Sequence, residues 1–307
     1  MKKLISGTTA YAVFSGDIAS SRISHAYMLH FQDADNMRSA LKIFALKFFE
    51  AEESDPVGRR IINESFSDLI VFPEEGKKFT VEGATALLAD SALKPLEGDR
   101  KLFVISGFQD ASALVQNKLL KTLEEPPEGV YFLLGVTSLS PVLDTVKSRV
   151  KTLTIPPFSE SEILSALERR GSNPLNGQIA KSCGGILGVA ESMADGGWFQ
   201  EVFKAAEEIC STTDLSGVGK VAIKYGDIKY KAELLSAIAQ NYHGELCARV
   251  NGESGKLSLE TPALIYAGRR ADMACRDLKF NAFFQGLLFE MMLGVIEENE
   301  KWLKLRA

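Results

Sequence analysis

Cysteine and histidine are scarce in this chain, with four and three among 307 residues. Cys183, Cys210, Cys247 and Cys275 form no C-x-x-C pair, and His25, His30 and His243 share no metal-ligand spacing. Neither a disulfide framework nor a structural zinc site is expected, and free thiols suit a reducing compartment. Long apolar runs are missing as well. The longest, Phe280 to Ile296, is broken by Asn281, Gln285 and Glu290, whereas a bilayer-spanning helix needs about 20 mostly apolar residues. The N-terminus, MKKLISGTTAYAVFSGD, has two lysines but no apolar run of signal-peptide length, so a cytoplasmic chain without a membrane partner is expected. Nor is there a basic excess. Thirty-five Lys and Arg stand against 40 Asp and Glu, a net charge of −5, which disfavours a protein that coats nucleic acid on its own.

Proline is rare after the middle of the chain. Eight of ten prolines lie at or before Pro157, and only Pro174 and Pro262 follow. The first half alternates apolar, β-favouring runs with amphipathic stretches. The runs are Ala26–Leu29, Asp68–Phe72, Lys101–Ile105, Tyr131–Val136 and Val150–Ile155; the stretches are Asp33–Glu50, Thr80–Leu93 and Gln109–Glu124. Alternation of this kind predicts a parallel sheet covered by helices, and the continuous apolar character of the runs predicts strands buried on both faces. After Pro156-Pro157 the pattern is helical. F-S-E-S-E-I-L-S-A-L-E-R-R-G opens with Ser159 and Glu162 spaced as a capping box and closes on Gly171. The fold class is therefore α/β followed by all-α, with domains expected at 1–157, 158–197 and 198–307, the second boundary resting on Asp195–Gly197.

The last apolar stretch is wide. Phe280, Phe283, Phe284, Leu287, Leu288, Met291, Met292 and Val295 recur at the spacing of one helix face, while Phe289, Leu293 and Ile296 are assigned to another. Such a surface is either central to its domain or shared with a neighbouring chain, and Phe289, Leu293 and Ile296 are the candidates for partner contact.

N-K-L-L-K-T-L-E-E-P-P, Asn117 to Pro127, reads as a helix of strong formers that ends before a proline pair. Its close is acidic, whereas a helix C-terminus favours cations. Either those carboxylates have a task or another element supplies the cations.

This run resembles the hallmark of bacterial clamp-loader subunits, AAA+ proteins that place the ring-shaped sliding clamp on primed DNA. Further pieces follow in the family's order. S-H-A-Y (Ser24–Tyr27) is similar to the approach to its first strand. S-D-L-I-V-F-P (Ser67–Pro73) and L-K-P-L-E-G (Leu93–Gly98) are similar to the second strand and a downstream loop of the delta-prime branch. K-S-R-V (Lys147–Val150) resembles the S-R-C motif, and I-A-K-S-C-G-G-I-L-G-V-A (Ile179–Ala190) the lid helix. The resemblance implies an AAA+ P-loop-NTPase-like sheet domain, a small helical lid and a C-terminal helical collar that holds the assembly.

The departures are as informative. A P-loop, G-x-x-x-x-G-K-[ST], wraps phosphates in backbone amides, neutralises them with lysine and holds magnesium through a hydroxyl. The corresponding residues here are F-Q-D-A-D-N-M-R: Phe31 and Asn36 replace the glycines, Met37 the lysine and Arg38 the hydroxyl residue. Asp33 and Asp35 add negative charge where an anion would sit. The Asp-Glu pair that follows the family's third strand corresponds to Ser106 and Gly107, and its lid arginine to Gly188. The resemblance therefore implies a chain that uses no ATP. The four-cysteine module of many relatives is missing from Glu50–Ser65, so no zinc is expected.

One charged group of the family's machinery is retained. Arg149, beside Ser148, matches the S-R-C arginine that reaches into a neighbouring subunit's ATP site, which implies an arginine finger supplied in trans. The implied function is a non-hydrolysing, delta-prime-like scaffold of the DNA polymerase III clamp loader, not an enzyme on its own. Its implied partners are gamma/tau ATPase and delta subunits, with the sliding clamp and primed DNA met through the complex. Two alternatives stay open. A gamma-type ATPase with degenerate motifs is disfavoured by the altered phosphate site and the lack of a long C-terminal tail. A clamp-opening delta subunit would not normally carry L-L-K-T-L-E-E-P-P together with K-S-R.

Overall fold

Strands that are apolar along their whole length can be buried on both faces. The runs at Ala26–Phe31, Lys101–Ile105 and Val130–Val136 form such strands, whereas at the sheet's edges Leu69–Phe72 is half-buried and Lys151–Ile155 exposes Lys151, Thr152 and Thr154. In the computed structural model, which describes residues 1–252, 255–278, 280 and 282–306, the chain begins with α1 (Lys2–Ser6) and α2 (Thr9–Ala19). There follow β1 (Ala26–Phe31), α3 (Met37–Phe48), α4 (Pro56–Ile62), β2 (Leu69–Phe72), α5 (Val81–Ser91) and β3 (Lys101–Ile105). A short 3-10 turn at Phe108–Asp110 leads to α6 (Ala113–Glu124), β4 (Val130–Val136), α7 (Asp144–Lys147) and β5 (Lys151–Ile155). The strands form one parallel sheet in the order β2-β3-β4-β1-β5. β1 is thus an interior strand between β4 and β5, and the loops at the carboxyl ends of β1 and β4 lie where open α/β sheets bind ligands.

One face of the sheet packs Met28, Phe103, Phe132 and Leu134 against Ala84 and Leu87 of α5 and Val115, Leu119 and Leu123 of α6. On the other face Phe14 of α2 meets Tyr27 and Phe44 at ring distances of 4.9 and 5.0 Å. There α3 lies close on β4 because residue 135 is glycine. A Cβ at Gly135 would fall 2.7 Å from Leu41 Cδ1 and 2.8 Å from Met37 Sδ. Two predicted helices start later than their apolar pattern. α3 begins at Met37 rather than near Asp33, and α6 at Ala113, where the Ser112 side chain accepts from the Val115 N–H.

The chain divides into two compact units, Met1–Glu191 and Ser192–Ala307. After β5 the described residues form helices only: α8 (Glu160–Arg170), α9 (Asn176–Ser182), α10 (Leu187–Asp195), α11 (Trp198–Ser211), α12 (Leu215–Tyr225), α13 (Lys231–Val250), α14 (Thr261–Leu278) and α15 (Phe284–Arg306). The capping box of α8 is formed, with Ser159 N–H donating to Glu162 at 2.9 Å and Glu162 N–H to Ser159 Oγ at 3.3 Å. Gly171 follows in extended backbone. Among the described residues no helix is long and apolar enough to cross a membrane.

In the second unit, Val202 and Ile209 of α11, Leu235 and Ile238 of α13, Leu264 and Ala271 of α14, and Leu288, Met291, Met292 and Val295 of α15 share one core. Here the structure corrects two assignments. Phe280 and Phe283, placed by spacing on the buried face, precede the helix and are 85% and 74% exposed. Ile296, assigned to the outward face, is buried, because it lies one turn from Met292 and one from Asn299, both of which are covered. Ile296 is a core residue and not a contact for a partner. Phe289 is exposed and Leu293 half-buried.

Candidate functional site

The loop 32–36 joins β1 to α3 at the carboxyl end of the sheet. Phe31 closes β1 inside the core, edge-on to Phe158 with 6.0 Å between ring centroids. Asp33 turns inward and is 1% exposed. Its carboxylate accepts from the Asn36 N–H at 3.1 Å, from Asn36 Nδ2 at 3.0 Å and from the Gly188 N–H at 2.8 Å. Gly188 is in the first turn of α10, where backbone donors have no partner within the helix. Asn36 Nδ2 also reaches Glu191 at 3.2 Å, and Glu191 pairs with Arg170 at 3.3 Å. A Cβ at position 188 would lie 2.5 Å from Asp33 Oδ1 and 2.9 Å from Asp35 Cβ. No side chain fits there with the loop in this place.

The neighbouring residues Met37 and Arg38 also have structural tasks. Met37 is buried against Gly135 instead of facing the loop. Arg38 forks onto both oxygens of Glu64, with Nε to Oε1 at 2.7 Å, and donates to the Pro73 carbonyl at 2.8 Å. Lys42 joins the same carboxylate at 2.8 Å. The Arg38 guanidinium, with Lys42, holds the Glu64 carboxyl below its ordinary range. These groups line a polar cleft of about 510 Å³ between α3, α4 and β2. At the end of β3, the Ser106 N–H donates to the Phe72 carbonyl at 2.8 Å and Gly107 turns the chain with φ +70°; neither side chain carries a carboxylate.

Arg149 lies between α7 and β5. Its Nε and Nη2 both donate to Glu124 Oε2 at 3.2 Å, and Nη1 donates to the Thr145 carbonyl at 2.9 Å and to Ser148 Oγ at 3.3 Å. Glu124 is the first glutamate of L-E-E-P-P, so Arg149 brings a cation to the acidic close of α6 in addition to Lys121 of its last turn. In the register of β1 and β5, Tyr27 faces Lys151 and Phe31 faces Ile155. Arg149 precedes the start of β5 and Asp33 follows the end of β1, so four strand residues, about 13 Å of rise, separate their ends of the sheet. The guanidinium cannot serve its own chain's β1–α3 loop.

Sequence reasoning missed the acids that organise these elements. Asp68 is buried and accepts from the N–H groups of Leu96, Glu97 and Gly98 at 2.6, 2.8 and 3.1 Å. It thereby joins S-D-L-I-V-F-P to L-K-P-L-E-G, and the nearness of the two motif fragments in order was the only signal. Residues 50–65 supply α4, whose Arg60 forks onto Glu97 at 2.7 and 2.6 Å, together with Glu64. Cys183 and Cys210 are buried, and burial pushes the Cys210 thiol up to about 12. Among the described residues no group of three or more His, Cys, Asp or Glu is placed to hold a metal.

The sequence profile of a family described as DNA polymerase III, delta subunit, matches residues 7–159. DNA polymerase III subunit delta' of Bacillus subtilis is 29% identical over 163 residues, 51% of this chain and 50% of that protein. DNA polymerase III subunit tau/gamma of Haemophilus influenzae is 26% identical over 246 residues, 76% of this chain and 34% of that protein. The chain thus matches half or less of the length of these relatives. Among solved structures, a DNA polymerase III gamma subunit-related protein of Thermotoga maritima is 15% identical, with a TM-score of 0.44 over 93% of this chain and 98% of that one.

Proposed function

We propose that this chain, which belongs to the clamp-loader family of DNA polymerase III subunits, works in the loader as a delta-prime-like scaffold that uses no ATP. In this reading residues 1–157 are the AAA+ domain, 158–197 its lid and 198–307 the collar through which the chain assembles with tau/gamma-type ATPase and delta subunits. Phe289 and Leu293 on α15 are then candidates for that contact. Arg149 is lent to the ATP site of a neighbour, where a guanidinium stabilises charge on a transferring phosphoryl group. The sliding clamp and primed DNA are met through the assembled complex.

The observation that carries this reading is the occupied β1–α3 loop. A phosphate site needs free amides, a cation and a magnesium ligand. Here the amides of Asn36 and Gly188 are taken by Asp33, Met37 is buried in the lysine position, and Arg38 is engaged by Glu64. The separation of Arg149 from its own loop supports a role in trans. A second reading, a tau/gamma-type ATPase, draws on the match that extends over 76% of this chain. Calorimetric titration of the isolated chain with Mg-ATP separates the two. The scaffold reading expects no heat of binding into the millimolar range; a one-to-one isotherm at micromolar affinity overturns it.

A further inference from the structure

Two helices that are far apart in sequence aim their N-terminal ends at one buried carboxylate. The Asn36 N–H stands directly ahead of α3, and the Gly188 N–H lies in the first turn of α10. Each helix start gathers unpartnered N–H donors and the positive end of a helix dipole. One such end is already a place where proteins hold phosphate and similar anions, and here two converge. In this chain the position belongs to Asp33, 1% exposed, with hydrogen bonds of 3.1, 3.0 and 2.8 Å from Asn36 N, Asn36 Nδ2 and Gly188 N.

We propose that Asp33 is a built-in anion that latches α10, and the helical segment carrying it, onto the central sheet, so that the posture of this segment needs no bound ligand. The inference stands on this geometry alone and does not rest on the clamp-loader reading. A local helix cap would explain the bond to Asn36, three residues away. It would not explain the bond to Gly188, 155 residues away. Asn36 extends the latch by bridging Asp33 to Glu191, and Glu191 continues to Arg170 at the end of α8. Glycine at 188 is part of the device, because any Cβ there would collide with the carboxylate it must meet.

Hydrogen–deuterium exchange read by mass spectrometry on the full chain tests the latch. In Asp33→Ala, peptides spanning 184–191 should exchange roughly ten- to a hundredfold faster, the size expected for losing a hydrogen bond to a charged group. Peptides from β3 and β4 should keep their protection. Millimolar inorganic phosphate should slow exchange of 184–191 in Asp33→Ala and leave the parent chain unchanged. Unaltered protection of 184–191 in the variant overturns the latch. Lost protection that phosphate does not restore overturns the anion reading, because the cradle would then be holding a shape and not a charge. Should Asp33→Ala fail to fold, the near-isosteric Asp33→Asn replaces it. Faster exchange confined to 184–191 supports the proposal, and parent-like exchange there overturns it.

Discussion

Asp33 and Arg149 sit at opposite ends of the same parallel sheet and are held in opposite ways. Asp33 is enclosed, with three donors from two separate elements around its carboxylate. A charge is stable in such a place only when its lone pairs are met, so the loop and the start of α10 have to stay together. Arg149 keeps 30% of its side chain in solvent, and the glutamate that holds it keeps 58%. Two other arginines show what a firm grip looks like: Arg38 forks onto both oxygens of Glu64, and Arg60 onto both oxygens of Glu97. Arg149 engages a single carboxylate oxygen, Glu124 Oε2, through two nitrogens at 3.2 Å each, its other bonds going to the neutral Thr145 carbonyl and Ser148 hydroxyl. An exposed pair of that kind contributes about 0–1 kcal/mol and gives way to a stronger anion. At one end of the sheet a carboxylate is enclosed by its own chain; at the other a cation stays partly in solvent.

The comparison predicts that substitutions at the two ends separate function from stability. The larger effect belongs to Arg149→Ala. An arginine supplied in trans to a GTPase is worth about 10³–10⁵ in rate at its own site. A loader has several ATP sites, so total DNA- and clamp-stimulated turnover of a reconstituted complex should fall only in part. Folding should be preserved, with urea stability within about 0.5 kcal/mol of the parent. Lysine should not restore full turnover, because a point charge cannot reproduce the planar fork. Parent-like turnover of the Arg149→Ala complex would make the arginine structural and dissolve the contrast.

Asp33→Ala should show the reverse bias. It strands two backbone donors and one side-chain donor, and the expected loss is about 2–3 kcal/mol of unfolding free energy, read from the urea midpoint at unchanged slope. A midpoint equal to that of the parent would mean that water meets those donors as well as the carboxylate does. The buried end of the sheet would then be no more committed than the exposed one.

What could be read from the sequence depended on range. The strands were legible because an apolar run of four to seven residues is a local signal, and Lys101–Ile105 is a strand over the whole predicted range. Ser159 and Glu162 were legible for the same reason, being three residues apart. The acidic close of L-E-E-P-P was visible as a local misfit, yet its partner stands 25 residues away in Arg149. Asp33 reads locally as added negative charge; its bonds from Asn36 are three residues away, but the Gly188 amide that completes its surroundings is 155 residues away. Ile296 failed for a different reason. Helical spacing says which side chains share a face but not how far neighbouring helices cover that face, and around Met292 and Asn299 the cover reaches Ile296. The structural tasks of Met37, buried against Gly135, and Arg38, engaged by Glu64, were not legible, because both partners are distant in sequence.

The smallest effect sharpens the standard by which Arg149 is judged loosely held. Arg60 and Glu97 are both partly exposed, at 40% and 34% of their side chains, so their pairing changes stability little. Its mark should appear in titration instead. The Arg60 fork, aided by Ser67, holds the Glu97 carboxyl at about 2 against an ordinary 4.5. Because the folded value is the lower one, the contribution of the pair is complete above the unfolded value and is lost as pH falls from about 4.5 towards 2. Carbon-detected NMR of the Glu97 carboxyl should therefore show a depressed midpoint in the parent chain. Arg60→Ala should return that midpoint towards 4.5, while Arg149→Ala should leave it where it was. If Glu97 of the parent already titrates at its ordinary value, the fork does not persist in solution. A two-oxygen grip then loses its meaning as a standard, and the single-oxygen hold on Arg149 can no longer be read as the looser of the two.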